Sequence, residues 1–155
     1  MSTINFKSVG QTKQQISNSS VAFSALPIGI KTPLRLSETD GLLSMNFDLS
    51  DQLSDNLRNL LLTNWGERLG QYYFGANLRP LTSEFVSQDN FDNEAVVRIK
   101  NAVQTWMPFV DLIDFVSEVD RNENNSTGII KLKISYNIPS LQVSNKILQI
   151  VLYVM

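Results

Sequence analysis

The apolar period of this chain changes along its length, and the changes mark its organisation. Residues 1 to about 25 are rich in Ser, Asn, Gln and Thr and show no apolar period. Such a segment buries too little surface to offset its ordering entropy, so alone it is expected to be a flexible polar arm. A free tail and an arm that orders against a neighbour both fit it. From Leu26 to Ser37, LPIGIKTPLRLS contains Pro27, Gly29 and Pro33, which exclude a helix and predict an extended segment or edge strand. Asp40-Gly41 signals a turn, and Leu43, Met45, Phe47 and Leu49 then alternate as a short strand does.

The period then becomes helical. Ser50 is suited to an N-cap, with Asp51 in the first turn, where the helix dipole favours an acid. Leu53, Leu57, Leu60 and Leu61 form one apolar stripe, and Asn64 and Gly66 stop the helix near Thr63. Pro80 and Thr82 open a short helix carrying Phe85 and Val86. Asp89 or Asn90 caps the longest helix, about 91–106, whose stripe is Phe91, Ala95, Ile99, Ala102, Val103 and Trp106; Pro108 closes it.

In the last third the period drops to two. Val110 to Asp120 reads as a strand of imperfect alternation, with Ile113, Phe115 and Val119 set against Asp114, Ser117 and Glu118. Arg121 to Gly128 is a polar loop. Ile130, Leu132, Ile134, Tyr136 and Ile138 alternate with Lys131, Lys133, Ser135 and Asn137, the pattern of a strand with one wet face. Pro139 to Asn145 turns the chain, and Lys146 to Val154 is a third strand. Three successive strands with short connections form an antiparallel meander most economically. The expected class is α+β, an N-terminal extended segment and helices packed on a C-terminal three-stranded antiparallel sheet, with residues 26–155 as one domain. The last strand, KILQIVLYVM, is apolar on both faces. Either it lies in the middle of the sheet, or it is an edge that a partner chain covers or extends.

Composition narrows the chemistry. With 155 residues, 43% hydrophobic and 18% charged, the chain can bury one core and is sparing in surface charge. A net charge of −2 gives no general attraction to nucleic acid or an anionic membrane. Acids predominate between Glu84 and Glu123, and after Asn124 the only charges are Lys131, Lys133 and Lys146. The split reads either as ordinary solvated faces or as an acidic and a basic side suited to head-to-tail contact. With no Cys and no His, disulfides, thiolate zinc sites and a Ser-His-Asp triad are all excluded. No apolar run is long enough to span a membrane, and no signal peptide is visible. No metal-ligand cluster or cofactor motif is present.

One stretch is dense in unusual residues, LLLTNWGERLGQYYFGANL from Leu60 to Leu78. Glu67 there has two readings. It caps or pairs locally while Arg68 reaches a neighbouring carboxylate, or it is the general acid of a glycosidase pair with Asp111 or Asp114. Trp65, Tyr72, Tyr73, Phe74 and Trp106 either pack the corner and an interface or line a sugar or base site. Gly66, Gly70 and Gly75 lack phosphate-loop spacing and are read as positions of positive φ or close approach.

The order of that stretch (leucine helix, Leu-Thr, Gly-Glu-Arg, Phe-Gly, Asn-Leu) resembles the baseplate wedge and sheath-initiator family of contractile phage tails. Related subunits occur in type VI secretion baseplates. Motif detail covers Asn56 to about Phe85, and the layout continues to Val154. The family's Glu-Pro-Arg at the end of the long helix is here Met107, Pro108 and Phe109: the proline stays and the charges go. The resemblance implies a non-enzymatic structural subunit of the virion, assembled in the host cytoplasm and present in several copies in a ring. Its implied partners are other wedge proteins, the tail sheath and hub or tube proteins, with no cofactor, nucleic acid or membrane. Gly66, Glu67, Arg68, Phe74, Gly75 and Pro108 are the implied wedge contacts. Ile147, Gln149, Val151 and Tyr153 are the implied sheath contacts, through strands exchanged between neighbours. The family's old "lysozyme-like" label makes a carboxylate-dependent muramidase the alternative.

Overall fold

Residues 26–37, 41–84, 88–121 and 128–154 are described by the computed structural model. The polar arm, Phe85, Val86 and nearly all of the 121–128 loop lie outside the described residues. The chain forms two compact units, one ending at Gln52 and the other beginning at Leu53.

In the first unit, β1 (Gly29–Ile30) pairs antiparallel with β2 (Met45–Asn46), and a single bridge joins Leu36 to Leu43. These are the extended segments that the Pro and Gly positions require. Proline lacks the N–H that longer ladders need, so the pairing stays short. The buried Asn46 donates from Nδ2 to Gln52 Oε1 at 3.2 Å.

Helix α1 (Leu49–Leu62) is capped by Asp48 and not by Ser50. The Asp48 carbonyl accepts from Gln52 N–H at 3.1 Å, and its Oδ1 accepts from Ser50 N–H at 3.2 Å. An aspartate at this position satisfies an orphan N–H and also puts its charge on the helix N-terminus. The helix ends as expected, and Leu57, Leu60 and Leu61 are buried.

In the second unit, the short α2 (Leu81–Glu84) precedes α3 (Gln88–Trp106). Helix α3 begins before Asp89 and Asn90, so the expected capping residues lie inside its first turn. Its stripe is the expected one, with Phe91, Ala95, Ile99, Ala102 and Val103 in the core. The sheet is β3 (Asp111–Arg121), β4 (Gly128–Ile138) and β5 (Val143–Val154), antiparallel in the order β3-β4-β5. Helices followed by an antiparallel meander make this an α+β fold.

Strand β4 is central, and its clean alternation is the reason the core forms where it does. Ile130, Leu132, Ile134, Tyr136 and Ile138 are buried, and Tyr136 Oη lies 2.8 Å from Ser54 Oγ on α1. The imperfect alternation of β3 has a physical cause. A register shift between Leu112 and Asp114 turns Ile113 out to 54% exposure, leaving Leu112, Phe115 and Val119 against the core.

Strand β5 is an edge, which overturns the reading that buries it in mid-sheet. Leu148, Ile150 and Leu152 face the core, while Ile147, Gln149, Val151 and Tyr153 face outward. The two-sided apolar pattern therefore means one buried face and one exposed apolar face. The two charge groups meet at one point of the sheet. Glu118 on β3 is the cross-strand partner of Lys131 and lies 2.6 Å from Lys133 Nζ on β4. That ion pair joins one acid and one base across two neighbouring strands.

Candidate partner-binding site

The corner is built on the last turn of α1. Ala76 N–H donates to the Leu60 carbonyl at 3.2 Å, and Asn77 N–H to the Thr63 carbonyl at 3.3 Å. Both carbonyls would otherwise be orphaned at the helix end. Gly75, at φ +108°, makes this approach possible, since a Cβ there would lie 2.1 Å from the Thr63 carbonyl oxygen. Asn77 completes it in the left-handed region, at φ 51°.

Glu67 is held by Asn64. Its Oε2 accepts from Asn64 N–H at 2.7 Å and its Oε1 from Asn64 Nδ2 at 2.9 Å, while Asn64 Oδ1 accepts from Arg79 N–H at 3.2 Å. These two bonds to Asn64, the side-chain one foremost, hold the Glu67 carboxyl below the usual glutamate range. Local capping is thus what the geometry contains. Arg68 does not do what the sequence reading assigns it. Its guanidinium sits 4.2 Å from the centroid of the Phe74 ring, and no described carboxylate pairs with it. Phe74 in turn packs edge-on to Trp106 at 5.1 Å.

An open groove of about 680 Å³ runs between α1, the corner and the turn after α3. Its floor is Leu60, Phe74, Trp106, Met107 and Phe109, and Asn59, Glu67 and Arg68 form a polar margin. Three of the expected contacts, Glu67, Arg68 and Phe74, therefore line one groove. Gly66 and Gly75 do not line it but each adjoins a lining residue in the chain, and Pro108 lies between two lining residues. Met107 and Phe109 give the groove an apolar end where charged residues are expected from the resemblance. Ile147, Gln149, Val151 and Tyr153 do not line it; they belong to the outer face of the sheet. Neither Asp111 nor Asp114 lines the groove with Glu67.

Sequence reasoning missed the residues that brace the corner from outside. Arg98 on α3 donates from Nη1 to the Asn77 carbonyl at 2.8 Å and from Nε to Glu94 Oε1 at 3.0 Å. An arginine one turn after a glutamate on a helix face reads as a solvated pair, and nothing in its spacing points to a loop 21 residues away. Asn64 is legible only as a helix stop, although it makes the bonds that hold Glu67.

Since burial and Coulomb effects on Glu67 are minor beside its hydrogen bonds, the sign of its pH response follows from them. Its folded pKa is lowered. Its stabilising contribution is therefore present above the usual glutamate value and is lost as pH falls through the lowered one. A carboxyl-detected NMR titration is expected to give Glu67 a midpoint below that of exposed glutamates. The stability difference between wild type and Glu67→Gln is expected to shrink as the pH is taken down through it. A midpoint at or above the usual value would contradict the Asn64 geometry.

Comparison with solved structures gives the fold a context. A chain of the anti-feeding prophage baseplate, from a six-fold symmetrised cryo-EM structure, matches with a TM-score of 0.56 at 20% identity. The match covers 70% of this chain and 82% of that one. The chain shares the fold of that chain. A Geobacter sulfurreducens protein provisionally named a tail lysozyme matches at TM-score 0.50 and 19% identity, over 68% of this chain and 89% of that one. No protein-family model and no curated protein sequence matches the chain. No cluster of His, Cys, Asp and Glu among the described residues could hold a metal ion. No described helix is long and apolar enough to cross a membrane.

Proposed function

We propose that this protein is a non-enzymatic structural subunit of a contractile tail baseplate. In this reading it joins the wedge around the hub through the corner and groove, and presents the β3-β4-β5 sheet to the first sheath subunits by strand exchange. The fold it has in common with a prophage baseplate chain carries the reading. The exposed apolar face of edge strand β5 supports its sheath half, because an unpaired edge is a template for another strand.

The muramidase alternative fits the residues less well. A general acid works best with a pKa raised toward neutrality, whereas Glu67 is exposed, bonded to Asn64 and shifted the other way. Two measurements on the full-length protein test the proposal. Quantitative mass spectrometry of purified tails is expected to find the chain at several copies per particle, and purified protein is expected to leave peptidoglycan intact. Absence from tails, or peptidoglycan turnover that disappears in Glu67→Gln, would overturn it.

A further inference from the structure

Between Gly66 and Gly75 the corner gives Glu67, Arg68 and Phe74 to the groove and leaves its other large side chains outside it. Leu69 at its tip is fully exposed, Tyr73 and Tyr72 are 70% and 63% exposed, and Trp65 is 46% exposed. Exposed residues of this size, clustered in one short segment, mark an interaction surface more often than chance placement. Hot spots at protein interfaces are enriched in Trp and Tyr.

The loop is also held in shape. Gly66 N–H donates to the Tyr72 carbonyl at 2.8 Å, Gln71 N–H to the Arg68 carbonyl at 3.1 Å and Phe74 N–H to the Gln71 carbonyl at 3.1 Å. Trp65 Nε1 donates to the Gly75 carbonyl at 3.2 Å. Tyr73 stands edge-on to both Trp65 and Tyr72, with ring centroids 5.8 and 5.0 Å away. A surface ordered before it binds loses little entropy on docking, which is a property of recognition elements.

We propose that Trp65, Leu69, Tyr72 and Tyr73 form a docking knob that inserts into an apolar cleft on another protein subunit. Three observations select a protein over other occupants. The four side chains stand in solvent and do not line the groove, so an apolar complement has to come from outside. Sugar sites need polar groups free to bond a ligand, and the corner's amide and carboxylate, Asn64 and Glu67, bond each other. A membrane-surface element carries a cluster of cations beside its aromatics. This loop has no Lys, and Arg68 is seated on Phe74. The knob deepens the wedge half of the proposed function and names a surface distinct from the groove.

The chain has no Cys, so Gln71→Cys places a single thiol in the loop and leaves all four knob side chains intact. Maleimide labelling of that thiol is measured on the purified full-length chain and in lysate from cells assembling tails. Labelling is expected to be at least about tenfold slower in the assembled fraction. Adding Leu69→Asp and Tyr73→Asp is expected to restore the free rate without changing the circular dichroism spectrum. Equal rates in every fraction would overturn the knob. So would protection of the purified chain by phosphatidylcholine–phosphatidylglycerol vesicles or by soluble peptidoglycan fragments. A Gln71→Cys chain absent from tails, with its thiol still protected in another protein complex, would refute the baseplate reading and leave the knob standing.

Discussion

Gly75→Ala is expected to destabilise the protein by about 3 kcal/mol, from positive-φ strain together with overpacking against backbone. The added Cβ would sit 2.1 Å from the Thr63 oxygen and 2.8 Å from its carbonyl carbon, on a backbone at φ +108°. Neither atom belongs to a flexible side chain, so the end of α1 must move. That movement breaks the bonds from Ala76 to Leu60 and from Asn77 to Thr63 that close the corner. For a chain of this size the loss corresponds to a fall of about 10 °C in Tm. Gly70→Ala is the control. Gly70 also has positive φ, 79°, but open space where its Cβ would go, so only strain of about 1 kcal/mol remains. Thermal unfolding of the two variants side by side decides the matter. Equal Tm values would mean that close approach to α1 is not what holds the corner.

The other large effect concerns assembly and leaves folding alone. Lys at Ile147, Val151 and Tyr153 together is expected to abolish sheath docking, a loss of at least about a hundredfold in strand-exchange affinity. The change in the chain's own stability should be small, because all three side chains point outward from the sheet. The two sheet edges differ in ways that favour β5. Strand β3 carries the Ile113 bulge together with Asp111, Asp114 and Glu118, devices that blunt an edge against pairing. Strand β5 pairs with β4 without interruption from Lys146 to Tyr153 and has Lys146 as its only charge over that length. Ile113→Lys is therefore expected to leave docking unchanged. Sheath length by electron microscopy, with the variants supplied in place of wild type, reads out both. Full-length sheath on the triple variant would remove β5 from the docking surface.

Much of the fold was legible because periodicity reports burial. The leucine stripe of α1, the stripe of α3 and the alternation of β4 each name the face that enters the core; the structure buries these residues, with Leu53 and Trp106 only partly covered. Patterns failed where a residue's role depends on a neighbour in space. Asp48 displaced Ser50 as the cap because both are good capping residues and only the helix start distinguishes them. Ile113 left the core face because a one-residue bulge reverses the alternation.

The candidate site divides in the same way. Sequence by itself determined that Gly66, Gly70 and Gly75 stand at special backbone positions and that Glu67 lacks an obvious catalytic partner. It also determined that β5 is apolar on both faces. Tertiary structure alone decided that Arg68 stacks on Phe74, that Arg98 reaches across from α3 to the Asn77 carbonyl, and that β5 lies at an edge. It also decided that Met107 and Phe109 close a groove with the corner, and that Trp65, Leu69, Tyr72 and Tyr73 stand outside it. The reason is physical. Local order follows from contacts a few residues apart, which sequence spacing encodes. A groove, an edge and a braced loop are made by chain segments that meet only after the core has brought them together.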